Sequence, residues 1–231
     1  MINRNINTSN INRMLKKYLL FSLALFSTTI SMANALQSSM DLREDNKSVK
    51  QSNNSKPKNI TIHFLETSDV HGCFFPYDFI SGGQMKGSLA RFMTYLNHLR
   101  QNPSEPVVLL DNGDILQGQP ICYYYNNIVP NKTNIAASLI NYMGYDAETV
   151  GNHDIETGHH VYDKWAKEVK CPILGGNVIE NSTSEPYFKS YTIINKCGVR
   201  IAVIGMLTPA IPNWQKEKLW YGMHFNDIVK S

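Results

Sequence analysis

The sequence predicts an α/β fold with a largely parallel sheet. Three observations carry this. Short apolar runs suited to buried strands alternate with amphipathic segments of helical period, the first three runs each end in metal-competent residues, and a turn signal near the end of the chain marks a hairpin. In open α/β sheets the chemistry lies beyond the carboxyl ends of the strands.

The elements follow in order. Residues 60–66 (ITIHFLE) read as a buried strand. Residues 88–100 place Leu89, Phe92, Met93, Leu96 and Leu99 on one helical face. Residues 106–110 (PVVLL) give a second strand, stopped by Asp-Asn-Gly-Asp. Residues 134–143 are helical and closed by Gly144. Residues 146–150 form a third strand, 159–170 an amphipathic helix and 172–178 a fourth strand. Residues 187–195 and 199–206 flank Lys196-Cys197-Gly198, the hairpin that could close the sheet.

Ahead of this region lies a segment of a different kind. The chain has 231 residues and a formal net charge of +3, but four bases (Arg4, Arg13, Lys16, Lys17) and no acid fall within residues 1–35. The remainder carries 18 basic and 19 acidic residues, so it is no polycation and nucleic-acid binding is not expected. Residues 18–30 are an apolar core too short to span a bilayer, which needs about 20 residues. Ala33-Asn34-Ala35 then offers an A-x-A cleavage site, read here as a signal peptide at 1–35 in preference to a retained anchor. Export and no stable membrane anchor after cleavage are the expectation. Residues 36–58, rich in Ser, Asn and Lys, read as a flexible tether, and the folded part occupies 59–231.

The strand ends carry the chemistry. Asp69 and His71 are two apart, so in an extended segment they share a side and offer a hard oxygen and an imidazole to one divalent ion. Asp114 follows a glycine that permits a sharp turn, and its two oxygens can bridge two metals. Asn152 supplies a neutral carbonyl oxygen, and His153 beside it can face a substrate. Two ions roughly 3.5–4 Å apart would hold the attacking and leaving oxygens of a phosphoryl group.

These residues stand in Glu66-Thr67-Ser68-Asp69-Val70-His71-Gly72, Gly113-Asp114-Ile115-Leu116-Gln117-Gly118 and Gly151-Asn152-His153-Asp154. On those three segments the chain resembles the calcineurin-like metallophosphoesterases, within them the exported branch of 5′-nucleotidases, UDP-sugar hydrolases and 2′,3′-cyclic-nucleotide phosphodiesterases. The resemblance implies an α/β fold of mixed sheets flanked by helices and two divalent cations (Zn, Mn, Co or Mg). Asp69 and His71 would bind the first metal, Asp114 would bridge and Asn152 would bind the second. His153 would serve the leaving group, oriented by an acid three residues later, where Glu156 stands. The family also takes later histidines, including a G-H-x-H, and a nucleotide-binding C-terminal domain. After Met206 the chain has only His224, in Gly-Met-His-Phe, so it reads as the N-terminal part of the catalytic domain.

The other candidates receive plainer readings. His63 reads as a packed strand residue, His98 as a solvated or capping one, and His159-His160 as a surface pair. Asp111 either orients a ligand or caps the strand end, and Tyr123-Tyr124-Tyr125 either stack on a base or sugar or form satellite core in a loop. Cys73, Cys122, Cys171 and Cys197 contain no C-x-x-C, so no zinc knuckle is expected; Cys73 and Cys122 read as possible neighbours. The expected function is metal-dependent phosphoester hydrolysis of a small molecule. 5′-Mononucleotides lead, ahead of cyclic nucleotides and nucleotide sugars. The rival from another class is a non-catalytic fragment lacking the later ligands.

Overall fold

The computed structural model describes residues 59–231; the expected signal peptide and tether lie outside the described residues. The strands are His63–Thr67 (β1), Tyr77–Asp78 (β2), Gly83–Gln84 (β3), Val107–Asp111 (β4) and Ala147–Thr149 (β5). Ile173–Leu174 (β6), Val178–Glu180 (β7), Tyr191–Lys196 (β8), Val199–Ile204 (β9) and Met223–Phe225 (β10) follow. The central sheet is parallel throughout, in the order β1-β4-β5-β6. Thr67 lies opposite Asp111, and Asp111 opposite Glu148, so the three strands that carry the expected ligands end side by side.

Helices cover the sheet for legible reasons. The first, Leu89–Leu99, starts where the Ser88 side chain accepts the Arg91 N–H at 3.2 Å, and it buries Leu89 and Leu96. Ile135–Met143 is capped by Asn134, whose side chain accepts from Ala136 and Ala137, and ends on left-handed Gly144. His159–Glu168 buries Val161, Tyr162 and Trp165. These side chains meet Val107 and Leu109 of β4 in one core. Burial of each large side chain contributes roughly 1.5–3 kcal/mol. Among the described residues no helix is long and apolar enough to cross a membrane.

The structure corrects the sequence reading at several elements. The run expected as one strand over 172–178 is two, β6 and β7, because Gly175-Gly176 lets the chain turn between them. A Cβ at Gly175 would lie 3.0 Å from the Val150 side chain, and one at Gly176 would lie 3.1 Å from the Ser190 backbone. After the turn β7 pairs antiparallel with β10 in a separate sheet. The β8–β9 hairpin forms as expected, with positive φ at both Cys197 and Gly198 as a two-residue turn of the primed type requires. It does not close the parallel sheet by a ladder; one isolated bridge, Leu174 to Lys189, links them. Tyr123-Tyr124-Tyr125 lie in the helical stretch formed by Pro120–Tyr123 and Tyr124–Ile128, the latter a π turn, and not in a loop.

One buried group sits poorly in this fold. Glu148, in the middle of β5, is 1% exposed, and neither carboxyl oxygen meets a hydrogen-bond donor among the described residues. Burial, with Asp111 and Asp154 nearby, pushes its pKa well above the carboxylate range. The unfolded chain releases this proton near the ordinary glutamate value, while the fold retains it. Stability is therefore greatest in acid and falls as pH rises from the unfolded pKa through the folded one. Glu148→Met, similar in shape and without the orphaned oxygens, is expected to stabilise the protein by about 1–3 kcal/mol. The gain should widen between pH 5 and pH 8, as read from urea unfolding at each pH.

Candidate metal centre

The centre is made by three loops that leave β1, β4 and β5. The first two are sewn together by main-chain bonds: Asn112 N–H donates to Thr67 O (2.8 Å), Asp69 N–H to Gly113 O (3.1 Å) and His71 N–H to Asp114 O (2.9 Å). This pairing folds the 69–71 segment, which is not extended as the sequence suggested. Asp69 (φ 54°), His71 (φ 48°) and Asp114 (φ 62°) all adopt the left-handed region. Conformations of this type in non-glycine residues cost about 1–3 kcal/mol each and cluster at functional sites. Asp111 acts as the cap of its loop, accepting from Gly113 N–H at 2.9 Å and from the Thr67 hydroxyl. Its burial raises the Asp111 pKa to about 7.

The third loop approaches so closely that two glycines are required. A Cβ at Gly113 would lie 2.5 Å from Gly151 N, and one at Gly151 would overlap the Asp114 carboxylate. Gly151 opens the short helix Asn152–Glu156, so Asn152 and His153 stand in its first turn. Asp114 Oδ1 accepts the His153 N–H at 2.7 Å, which fixes the bridging candidate to the histidine's own backbone.

His71, Asp114 and His153 come together, with ligand-competent atoms all within 4.8 Å of one another. The two imidazole rings meet edge to face at 5.1 Å. His71 Nδ1 faces Gln117 O at 3.0 Å, and His153 Nδ1 faces Glu156 Oε2 at 2.6 Å. Both partners are acceptors only, so each Nδ1 carries the hydrogen and each neutral ring keeps its Nε2 lone pair free. Asp69 Oδ1 stands 3.9 Å from His71 Nε2. Imidazole nitrogens and carboxylate oxygens in this mixture suit divalent first-row ions, so the donor set fits the cations that the resemblance implies. Asn152 is half-buried at the helix start, and its main-chain carbonyl oxygen, not the side-chain amide, accepts from Gln215 Nε2 at 2.5 Å.

Sequence reasoning assigned no role to Asp154 or Gln215. Asp154 is fully buried, and its carboxylate accepts four backbone N–H groups: Asp114 (2.9 Å), Ile115 (2.9 Å), Leu116 (2.9 Å) and Gly151 (2.8 Å). Burial pushes its pKa up to about 6, against the opposing pull of those N–H groups. The available signal was an acid three residues beyond the glycine that opens the helix, a capping-box spacing. Gln215 lies 63 residues from Asn152, and no local pattern announces that contact.

Other candidates stay outside the centre. His63 pairs with Glu105 at 3.0 Å, and His98 is exposed near its helix end. His160 is exposed, but His159 is not the surface residue expected. Its Nε2 lies 2.8 Å from Tyr221 O, and its Nδ1 faces Asp163, because the 217–221 segment folds back onto this helix. His224 is engaged by Asn181 Oδ1 at 2.6 Å on strand β10. All four cysteines are free thiols, with Cys122 buried beneath Gly72.

Removing the Asp154 carboxylate should undo the centre without touching a ligand. Asp154→Ala strands four N–H groups, and its expected cost is roughly 3 kcal/mol of stability or more. Metal titration of the folded variant should show weakened binding; an unchanged affinity would mean that the loops hold themselves.

Comparison with known proteins agrees with this geometry. The calcineurin-like phosphoesterase family profile matches residues 62–217. The 2′,3′-cyclic-nucleotide 2′-phosphodiesterase/3′-nucleotidase of Haemophilus influenzae is 31% identical over 184 residues, covering 74% of this chain and 28% of that protein. Protein UshA of Yersinia enterocolitica is 31% identical over 156 residues, covering 66% of this chain and 26% of that protein. The crystal structure of the calcineurin-like phosphoesterase YfkN from Bacillus subtilis aligns with a TM-score of 0.61 at 32% identity, over 72% of this chain and 54% of that one. The chain thus spans little more than a quarter of the length of the two curated relatives. With its three loops, its convergent donors and this match, the chain belongs to the calcineurin-like phosphoesterases.

Proposed function

We propose that this chain is the N-terminal part of the catalytic domain of an exported, two-metal nucleotide phosphohydrolase, with 5′-mononucleotides as the leading substrates. The observation that carries the reading is the convergence of His71, Asp114 and His153, with both Nδ1 atoms held from behind and both Nε2 atoms free. Cyclic nucleotides, named for the Haemophilus relative, and nucleotide sugars are the alternatives within the family. Export rests on the basic segment, apolar core and A-x-A of residues 1–35.

In this reading Asp69 and His71 would hold one cation and Asn152 the other, and the Asp114 carboxylate, which also accepts the His153 N–H, would serve both. Divalent cations there would neutralise the phosphoryl oxygens during in-line displacement. His153, supported by Glu156, would present Nε2 to the departing oxygen and, as the imidazolium, give it the Nε2 proton, leaving the neutral ring with Nδ1–H on Glu156.

A second reading has a specific observation behind it. The one histidine after Met206, His224, is held by Asn181 and offers nothing to the centre. The chain by itself would then bind metal weakly or not at all and turn over no substrate. Phosphate release from AMP by the chain in excess Mn²⁺ favours the first reading, and its absence favours the second.

Two substitutions test the roles. Asp114→Asn is expected to reduce occupancy of both metal positions, whereas Asp69→Asn should empty chiefly one, as measured by metal analysis of the purified variants. Equal stoichiometry in Asp114→Asn and wild type would refute bridging. His153→Asn should leave metal content intact and lower turnover about 10²–10⁴-fold. The loss should be smaller for nitrophenyl phosphate, whose leaving group needs less protonation. A fall in bound metal would instead make His153 a ligand.

A further inference from the structure

Gln215 reaches the centre from far along the chain, and the contact it makes leaves half of its amide unused. Its Nε2 donates to the main-chain oxygen of Asn152 at 2.5 Å. Its Oε1 is buried and meets no hydrogen-bond donor among the described residues. A buried acceptor left in this state costs about 1–3 kcal/mol, so such groups are rare and each asks for a partner. No water-sized space touches that oxygen, so the partner is a protein donor.

The backbone that carries Gln215 is fixed. Ile211, fully buried, opens the short helix Ile211–Trp214, and its carbonyl accepts the Gln215 N–H at 3.0 Å. The Gln215 carbonyl accepts Trp220 Nε1–H at 3.4 Å. Further back, the buried Asn177 side chain holds the Leu207 main chain at both ends. It accepts from the Leu207 N–H at 2.8 Å and donates to the Leu207 oxygen at 2.6 Å. The Gln215 amide thus comes to Asn152 from a segment with anchors of its own.

Asn152 has the complementary need. Its main-chain oxygen is taken by Gln215, and among the described residues its side-chain amide makes no hydrogen bond. As the expected ligand of the second cation it must show that ion Oδ1, because the Nδ2 end carries two hydrogens and accepts nothing. The two ends of the amide are nearly alike in shape, and the partner of Nδ2 decides which end faces the ion. Ligating histidines are oriented in the same way, by the acceptor behind the nitrogen that does not bind.

We infer that Gln215 is a positioning residue for the second cation. It holds Asn152 at two points, with Nε2 on the main-chain oxygen and Oε1 accepting Nδ2–H once Oδ1 turns to the ion. The orphaned oxygen is satisfied in that arrangement, and a neutral ligand is aimed by a residue 63 positions away. The role of Asn152 rests on the two-metal reading; the clamp rests on the Gln215 contact and its unused oxygen.

Calorimetric titration of the full chain with Mn²⁺ tests the clamp in wild type, Gln215→Met, Asn152→Ala and the double variant. Gln215→Met should weaken one Mn²⁺ position about 10–100-fold, the scale seen when the partner behind a ligand is removed, and leave the other unchanged. In the Asn152→Ala background the same substitution should cost nothing further, since the side chain on which Oε1 acts is gone. A prop for the main chain would behave differently, because the Asn152 oxygen survives truncation to Ala and the loss would persist. That persistence, or an unchanged affinity in Gln215→Met, overturns the inference. Where Gln215→Met does not fold, wild type decides alone. The Asn152 Nδ2 proton resonances, assigned by their loss in Asn152→Ala, should move downfield and gain protection from exchange when diamagnetic Zn²⁺ is added. Unmoved resonances overturn the inference. Wild type that takes up a single ion removes the two-metal reading and the clamp with it. Two ions bound equally well by wild type and Gln215→Met leave that reading standing and remove only the clamp.

Discussion

Everything at the carboxyl edge of the sheet depends on one carboxylate. Asp154 gathers four backbone N–H groups from two loops. Buried N–H groups left without acceptors cost about 1–3 kcal/mol apiece, so the loops cannot separate without a large penalty. The bond from His153 N–H to Asp114 Oδ1 then follows from the same approach. Asp114 and His153 are thus positioned by main chain, which has no rotamers to lose. A centre placed in this way is preorganised before any ion or substrate arrives.

That arrangement explains where backbone strain can be carried. Five non-glycine residues have positive φ in the described chain, and three of them are Asp69, His71 and Asp114. Each cost is offset locally: the N–H groups of Asp69 and His71 are taken by carbonyls of the second loop, and that of Asp114 by Asp154. In this conformation Asp69 Oδ1 stands 3.9 Å from His71 Nε2, and ligand atoms of His71 and Asp114 lie within 4.8 Å of each other. Gly113 and Gly151 complete the arrangement by leaving no Cβ between the loops. Strain, glycine and carboxylate are three parts of one close approach.

Much of this was legible in the sequence, and the failures have physical causes. The three strand ends announced themselves because apolar runs stopping at Thr-Ser-Asp, Asn-Gly-Asp and Gly-Asn-His leave few alternatives. The β8–β9 hairpin was readable from Lys-Cys-Gly, since a turn with two positive φ values has a narrow residue preference. The 172–178 run misled because periodicity cannot see that Gly175-Gly176 approaches Val150 and Ser190. Tyr123-Tyr124-Tyr125-Asn126-Asn127 has no 3.6-residue pattern, and it is helical because Asn126 is satisfied by Leu116 and Asn134. Asp154 was passed over because its value lies in donors up to 40 residues away. His159 was misread for the same reason, its partner Tyr221 being 62 residues distant.

The two histidines show how one geometry can support two roles. In each ring Nδ1 faces an acceptor behind it and Nε2 faces the centre. The acceptors differ. Behind His71 stands a neutral peptide carbonyl, part of a loop that is itself pinned by Gln119 N–H donating to His71 O at 2.9 Å. Such a partner fixes the tautomer and the ring plane, which is what a ligand needs. Behind His153 stands the Glu156 carboxylate, one helical turn along and 43% exposed. A carboxylate there can compensate the positive charge of the imidazolium that gives up the proton, as a neutral carbonyl cannot. The pairing therefore supports metal binding by His71 and proton transfer by His153.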